Sequence, residues 1–314
     1  MKSPSVRALT FLMLIVPVFA RAQAAKPAMP PGAFQRADTA SLHRTLDSLA
    51  AAHHGIVGYT VHNLDTGERL ERRGDETFPT ASLIKVPVLV TVYDLVEKGT
   101  LGLDDPLTVL RIDRVGGAGL LQFMHENATI TVHDAAWLMT TISDNTATNL
   151  LLDRIIIRRV WDKMEALGLM HTKVHSKSFL RSASVAMDSS VKYGLGVTTP
   201  NEMARLFALL ADGKAVSPRA DSAMLDILAH NEDAGKLQRY VDGLDVPHKT
   251  GDTDQVRTEC GLFPLQSRIT YCVLTKENTD QRYMIDNEAH VMMAHMGEAL
   301  VRAWPRRPVP RTAP

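Results

Sequence analysis

The amino-acid sequence predicts an α/β fold of the α+β kind, with an antiparallel sheet built from the N- and C-terminal segments and an all-helical part between them. Three observations predict it. Residues 56–72 alternate like paired strands, strand patterns return only at 244–275, and the stretch from about 100 to 230 is dominated by helical periodicity. Two distant segments must then share one sheet, with the helical centre packed beside it. A cleft between the two regions is the natural place for a site.

From Thr39 a helix places Leu42, Leu46, Leu49 and Ala50 on one face and ends near Gly55. Ile56–Asn63 reads as a strand, Asp65–Gly67 as a turn and Glu68–Arg72 as the partner strand. A second helix is expected from Ser82 to about Glu97. Thr131 and Asp134 have the spacing of a capping box and open another. Helices follow at Asn145–Ile156, Arg158–Leu167, Pro200–Ala211 and Pro218–His230. Strands are expected at Leu244–Lys249, 256–263 and 268–275, and a last helix at 286–304. Cys260 and Cys272 fall on the last two strands. They can be bridged only if the register sets them opposite each other, and the expectation is two small unbridged core residues.

The ends are set apart from this domain. Lys2 and Arg7 precede the apolar run 8–20, and Ala20 and Ala22 give a small-x-small cleavage site, so 1–22 reads as a signal peptide. The run is too short to span a bilayer comfortably and contains Pro17, which argues against a stable membrane anchor. Residues 23–38 read as a linker, 39–304 as the catalytic domain and 305–314 as a disordered tail. Within the domain, 39–80 and about 231–304 form the sheet region and about 81–230 the mainly helical region. The exported chain is expected to be secreted or periplasmic, and monomeric.

Charge and composition exclude several function classes. The 314 residues carry 35 Lys+Arg and 35 Asp+Glu. That balance argues against a nucleic-acid partner. Removing 1–22 takes Lys2, Arg7 and Arg21 and no acid, which leaves the remainder at −3. The 12 histidines include no His-Glu-x-x-His, and His53–His54, His290 and His295 lack partners at ligand spacing, so neither a metal nor a cofactor is expected.

Three short motifs carry chemistry. Ser82-Leu-Ile-Lys85 sits at a helix start, where a spacing of three puts hydroxyl and amine on one face. A lysine of lowered pKa can take the serine proton, and a helix N-terminus favours the developing negative charge. Ser143-Asp-Asn145 lies between two helices; its hydroxyl can relay a proton to a leaving group and its amide can hold a substrate. Lys249-Thr250-Gly251 ends a strand, offering a cation and a hydroxyl to a carboxylate and a glycine over which a ligand can lie. Any one motif is weak, but the three in this order and spacing are specific.

With these motifs, and with the wider text of 78–88, Gly119–Phe123, 142–151 and His248–Gly251, the sequence resembles class A β-lactamases and the penicillin-recognising serine enzymes around them. The likeness covers about residues 40–304. It implies the serine β-lactamase/D,D-peptidase fold and a small β-lactam or related acyl substrate. It makes Ser82 the acylated nucleophile, Lys85 its partner and Ser143 the proton relay. Asn145 becomes a substrate contact, Lys249 and Thr250 with Gly251 the carboxylate site, and Arg257 an assistant there. The N–H groups of Ser82 and Asp252 would form the oxyanion hole, and Asn149 would brace the adjoining loop.

One departure matters. The family carries Glu-x-x-Leu-Asn in a loop before the Thr-Thr-Pro stretch, here Thr198-Thr199-Pro200, and that glutamate positions the deacylating water. The interval 171–197 contains no glutamate, with Ala183 or a neighbour at about its place and Asp188 as the single acid. Asp188, or less directly His175, could act as a surrogate base, although the expectation for Asp188 is a solvated loop acid. The leading expectation is an exported β-lactam hydrolase. A D,D-peptidase, esterase or acyltransferase, or a penicillin-binding trap that acylates and stalls, is the alternative.

Overall fold

The computed structural model describes residues 34 and 36–304. The expected signal peptide, most of the linker and the tail lie outside the described residues. Helix α1 (Thr39–Ala52) starts at Asp38, whose carboxylate accepts the Ser41 N–H, and it buries Leu42, Leu46 and Ala50. Strand β1 (Ile56–Asn63) pairs with β2 (Arg69–Arg72). The short β3 (Phe78–Pro79) leads towards α2 (Lys85–Glu97), in which every residue from Lys85 to Leu95 is buried. A separate ribbon of β4 (Pro106–Val109) and β5 (Ala128–Thr131) precedes α3 (Val132–Thr141), which opens on the expected Thr131–Asp134 capping box.

Helices α4 (Asn145–Ile155) and α5 (Ile157–Ala166) follow, then β6 (Lys173–Val174), α6 (Met187–Tyr193) and β7 (Gly196–Thr198). Helices α7 (Pro200–Ala211) and α8 (Pro218–Ala229) each begin with a hydroxyl cap, Thr199 or Ser217, followed by proline, which has no N–H to leave unpaired there. The chain closes with β8 (His248–Thr253), β9 (Val256–Pro264), β10 (Arg268–Lys276) and α9 (Glu288–Ala303).

The main sheet has the order β2-β1-β10-β9-β8, all antiparallel, so strands from the two ends of the chain do meet, at β1 and β10. Its two faces serve two cores. Tyr59, Phe263, Tyr271 and Val273 pack against α1 and α9 through Leu46, Met293, Met296 and Trp304. Cys260, Leu262, Cys272 and Leu274 on the other face join the larger core of the helical region. Period-2 alternation along β9 and β10 divides the strands in this way.

Two expectations need correction here. The strand expected at Leu244–Lys249 is β8, His248–Thr253, so the Lys-Thr-Gly motif lies inside the strand and does not end it. Pro247 has no N–H for a ladder, and the polar Gly-Asp-Thr text continues as strand because β9 pairs with it. The cysteines are bridged. Cys260 and Cys272 face each other directly in the β9–β10 register, both fully buried, and form a disulfide.

Helix α9 approaches the chain before β8 closely, and Gly297 makes this possible: a Cβ there would stand 1.9 Å from the Leu237 carbonyl oxygen. Gly297→Ala should therefore cost about 1–3 kcal/mol, the usual penalty of overpacking. Urea unfolding measures it, and an unchanged midpoint would contradict this packing.

Candidate active site

Ser82 sits in a 3-10 turn, Ala81–Ile84, and α2 begins only at Lys85, three residues later than the expected helix start. The chain leaves β3 and must turn at once. Ala81 makes the corner with φ at +46°, a left-handed conformation that costs an alanine about 1–2 kcal/mol. Lys85 is one turn on, with its side chain in the core. Its Nζ donates to the Ser143 carbonyl at 2.7 Å, to Ser143 Oγ at 3.0 Å and to Asn145 Oδ1 at 2.9 Å. Burial pushes this ammonium well below the usual lysine range, the charge of Lys249 adds to the shift, and Asp144 opposes it.

Ser143 is also left-handed, with φ at +57°, and lies between α3 and α4. Asp144 caps α4 through the Ala147 N–H, and its other oxygen accepts from Leu120 and Leu121 N–H at 2.7 and 2.9 Å. That carboxylate draws the 116–121 loop onto the site. Gly119 is required there, because a Cβ would lie 2.2 Å from Asp144 Cγ and its φ is +110°. Asn145 spends both ends of its amide, Oδ1 on Lys85 and Nδ2 on the Gly116 carbonyl.

The third motif comes from the sheet edge. Leu262 N donates to Pro247 O beside β8. Antiparallel alternation then turns the N–H groups of Lys249, Gly251 and Thr253 towards β9, and those of Thr250 and Asp252 outward from the free edge. Gly251 packs against the Ser82 turn; a Cβ there would stand 2.6 Å from Thr80 O and 2.7 Å from Ser82 N. This packing sets Asp252, the next residue along β8, beside the Ser82 turn. Burial lowers Lys249 to about 8, with Asp233 pulling it back up. Thr250 lies on the other face of β8, beside the Asp233 carboxylate. A cavity of about 700 Å³ opens over this arrangement, lined by Ser82, Asn145 and Asp252 and by 176–179 and 192–195.

Residues 41–304 match the model of the beta-lactamase enzyme family. The chain belongs to this family. It is 34% identical over 102 residues to the beta-lactamase regulatory protein BlaB of Streptomyces cacaoi, a match spanning 32% of this chain and 32% of that protein. The fold is similar to that of a beta-lactamase from Sphaerobacter thermophilus (TM-score 0.75, 27% identity, 85% of this chain and 97% of that one). It is also similar to that of a PBP-A mutant in an acyl-enzyme complex with penicillin G (TM-score 0.74, 26% identity, 84% and 96%). The α/β fold is that of the class A β-lactamases and their PBP-like neighbours.

Against that family pattern, the loop beside the site is built from hydroxyls. Asn149 does brace it: Nδ2 donates to Ser178 O at 3.0 Å and Oδ1 accepts from Ser178 N at 2.8 Å. The residue pinned beside the cavity is therefore Ser178, whereas Ala183 is exposed and outside the lining. The hydroxyls of Ser178 and Ser190 are buried without a partner, and both residues line the cavity. Asp188 is not brought to the site; it is an exposed first-turn residue of α6 and takes no part in the lining. His175 is buried behind the loop with its ring on the Gly194 carbonyl at 3.3 Å, and burial lowers its pKa.

Arg257 also departs from expectation. It pairs with Asp252 on the face of β9 that turns towards α9, and its guanidinium donates to the carbonyls of Thr253, Val256, Gln281 and Arg282. Fully buried, it stays outside the cavity lining. Asp233, Lys236 and the cavity-lining Glu277 carry no signal in the sequence, because they lie in irregular segments without period or motif. Among the described residues no group of three or more His, Cys, Asp or Glu could hold a metal ion.

The Lys249 pKa gives a pH test. Its charge is present below about 8 and lost as pH rises through that value. Affinity of the cleft for a carboxylate ligand, measured by calorimetry, should fall over that step. Lys249→Arg should remove the fall, since a guanidinium keeps its proton; an unchanged step would contradict the assignment.

Proposed function

We propose that the protein is an exported serine hydrolase that opens a β-lactam ring through an acyl-enzyme on Ser82. The observation that carries this reading is the buried Lys85 amine held against Ser143, one turn from a serine that lines the cavity. With its pKa depressed, Lys85 can serve as a neutral base. Two N–H groups then satisfy Ser143 O and Asn145 Oδ1, and the lone pair faces the Ser143 hydroxyl.

Ser82 Oγ bonds the lactam carbonyl carbon as its proton passes to the Ser143 hydroxyl, which hands its own proton to Lys85. The carbonyl oxygen takes up negative charge between the Ser82 and Asp252 N–H groups, where one donor is typically worth about 10²–10³ in rate. Collapse breaks the C–N bond, the ring nitrogen takes the Ser143 proton, and Lys85 replaces it. Lys249 holds the substrate carboxylate. Water then adds to the acyl carbonyl and frees Ser82. Export rests on the pattern of residues 1–22.

A second reading has one observation behind it. No carboxylate from the 171–197 loop lines the cavity, so the water step lacks the family's base. A D,D-peptidase, esterase or acyltransferase, or an acylation trap, would share the same first half-reaction. Incubation with a chromogenic cephalosporin, followed by absorbance and intact mass, separates them. Continuous turnover that Ser82→Ala abolishes is the expected result. A single burst with a lasting adduct on Ser82 assigns the trap, and neither turnover nor adduct would overturn the β-lactam reading.

A further inference from the structure

Behind the sheet edge lies a fully buried cation that the chemistry above does not use. Lys236, in the irregular chain between α8 and β8, is 0% exposed. Its Nζ donates to Asp233 Oδ2 at 2.6 Å and to Asp252 Oδ2 at 3.1 Å. The same segment is tied to the end of α3, just before the Ser143 motif: Glu232 N donates to Thr141 O, and Asn231 Nδ2 to Thr140 O. Further on, Leu237 N donates to Glu259 Oε2, and its carbonyl is packed under Gly297. Lys236 is thus anchored on both sides before it reaches Asp252.

The other contacts of Asp252 are poor. Its Oδ1 lies 3.6 Å from Arg257 Nε and 3.5 Å from His290 Nε2, and all three atoms are buried without a hydrogen bond. Among the described residues, the Lys236 bond is therefore the one well-formed side-chain contact holding Asp252 from within. Asp252 is also the residue whose outward N–H stands next to Ser82 at an edge with no further strand.

We propose that Lys236 is a positioning residue for the oxyanion donor: closed between Asp233 and Asp252, its ammonium fixes the β8 edge so that the Asp252 N–H stays aimed at the carbonyl carried by Ser82. The proposal rests on the Ser82 acylation reading, and it adds a requirement that the Ser82, Ser143 and Lys249 motifs do not contain. Lys236 touches no reacting atom. Its effect should therefore fall on the chemical step and spare ground-state binding.

The test compares Lys236→Met, Lys236→Arg and Asp252→Ala. The last removes the carboxylate while keeping the backbone N–H and the Lys236–Asp233 pair, so it reports even if Lys236→Met fails to fold. With a chromogenic cephalosporin, the acylation rate should fall about a hundredfold in Lys236→Met and Asp252→Ala with the dissociation constant of the noncovalent complex little changed, the size expected for one misplaced donor. Lys236→Arg should recover most of it. Amide exchange at Gly251 and Thr253, whose N–H groups face β9 on either side of Asp252, should quicken in Lys236→Met and Asp252→Ala and return in Lys236→Arg, read by NMR without substrate. Folded variants with unchanged acylation and unchanged exchange at these two amides would overturn the proposal. A wild-type protein that the cephalosporin never labels would instead remove the Ser82 reading, and the same exchange would still decide whether Lys236 holds the edge.

Discussion

Burial of one amine constrains the rest of this structure. Lys85 stands at the head of a helix whose next ten residues are all buried, and its ammonium has left water. Such a group is tolerated only if it is hydrogen-bonded or gives up its proton. Both occur here. The Ser143 carbonyl, the Ser143 hydroxyl and the Asn145 amide surround Nζ, and Lys249 placed nearby disfavours the charged form further. A left-handed Ser143, a carboxylate that caps α4 while pulling in the 116–121 loop, and a glycine that admits it are the backbone features that bring those acceptors to the amine.

The sheet supplies the complementary half. β8 is an edge strand, and an edge leaves alternate N–H groups unpaired. Here the unpaired donors of Thr250 and Asp252 look into a cleft, with Gly251 pressed against the Ser82 turn between them. The buried cations Lys236 and Arg257 lie behind that edge, on the α9 side, with Asp233 and Asp252 against them. The amines of Lys85 and Lys249 lie on the cleft side. Pleating of one strand keeps the two sets apart.

Much of this was legible in the sequence because it is periodic or rigidly spaced. Strand β1 has the expected ends, Ile56 and Asn63, because Val57, Tyr59 and Val61 recur every second residue between them. Lys85 meets the Ser143–Asn145 motif, and two helix starts, those of α2 and α4, carry them there. What failed was parity and register. Arg257 was expected at the carboxylate site, yet it pairs with Asp252 on the face opposite Lys249. The disulfide could have been read from the turn: Cys260 and Cys272 are equidistant from Gln266, so a hairpin centred there sets them opposite. Lys236 and Ser178 had no such signal, because irregular chain carries no period to read.

All of this chemistry depends on Lys85 being uncharged in the working protein. Lysine labelled with 13C at Cε and followed by NMR through a pH titration, with Lys85→Arg to assign the resonance, measures it directly. Lys85 should titrate well below the ordinary lysine value of 10.5. A Lys85 resonance that titrates at that ordinary value would contradict a neutral base.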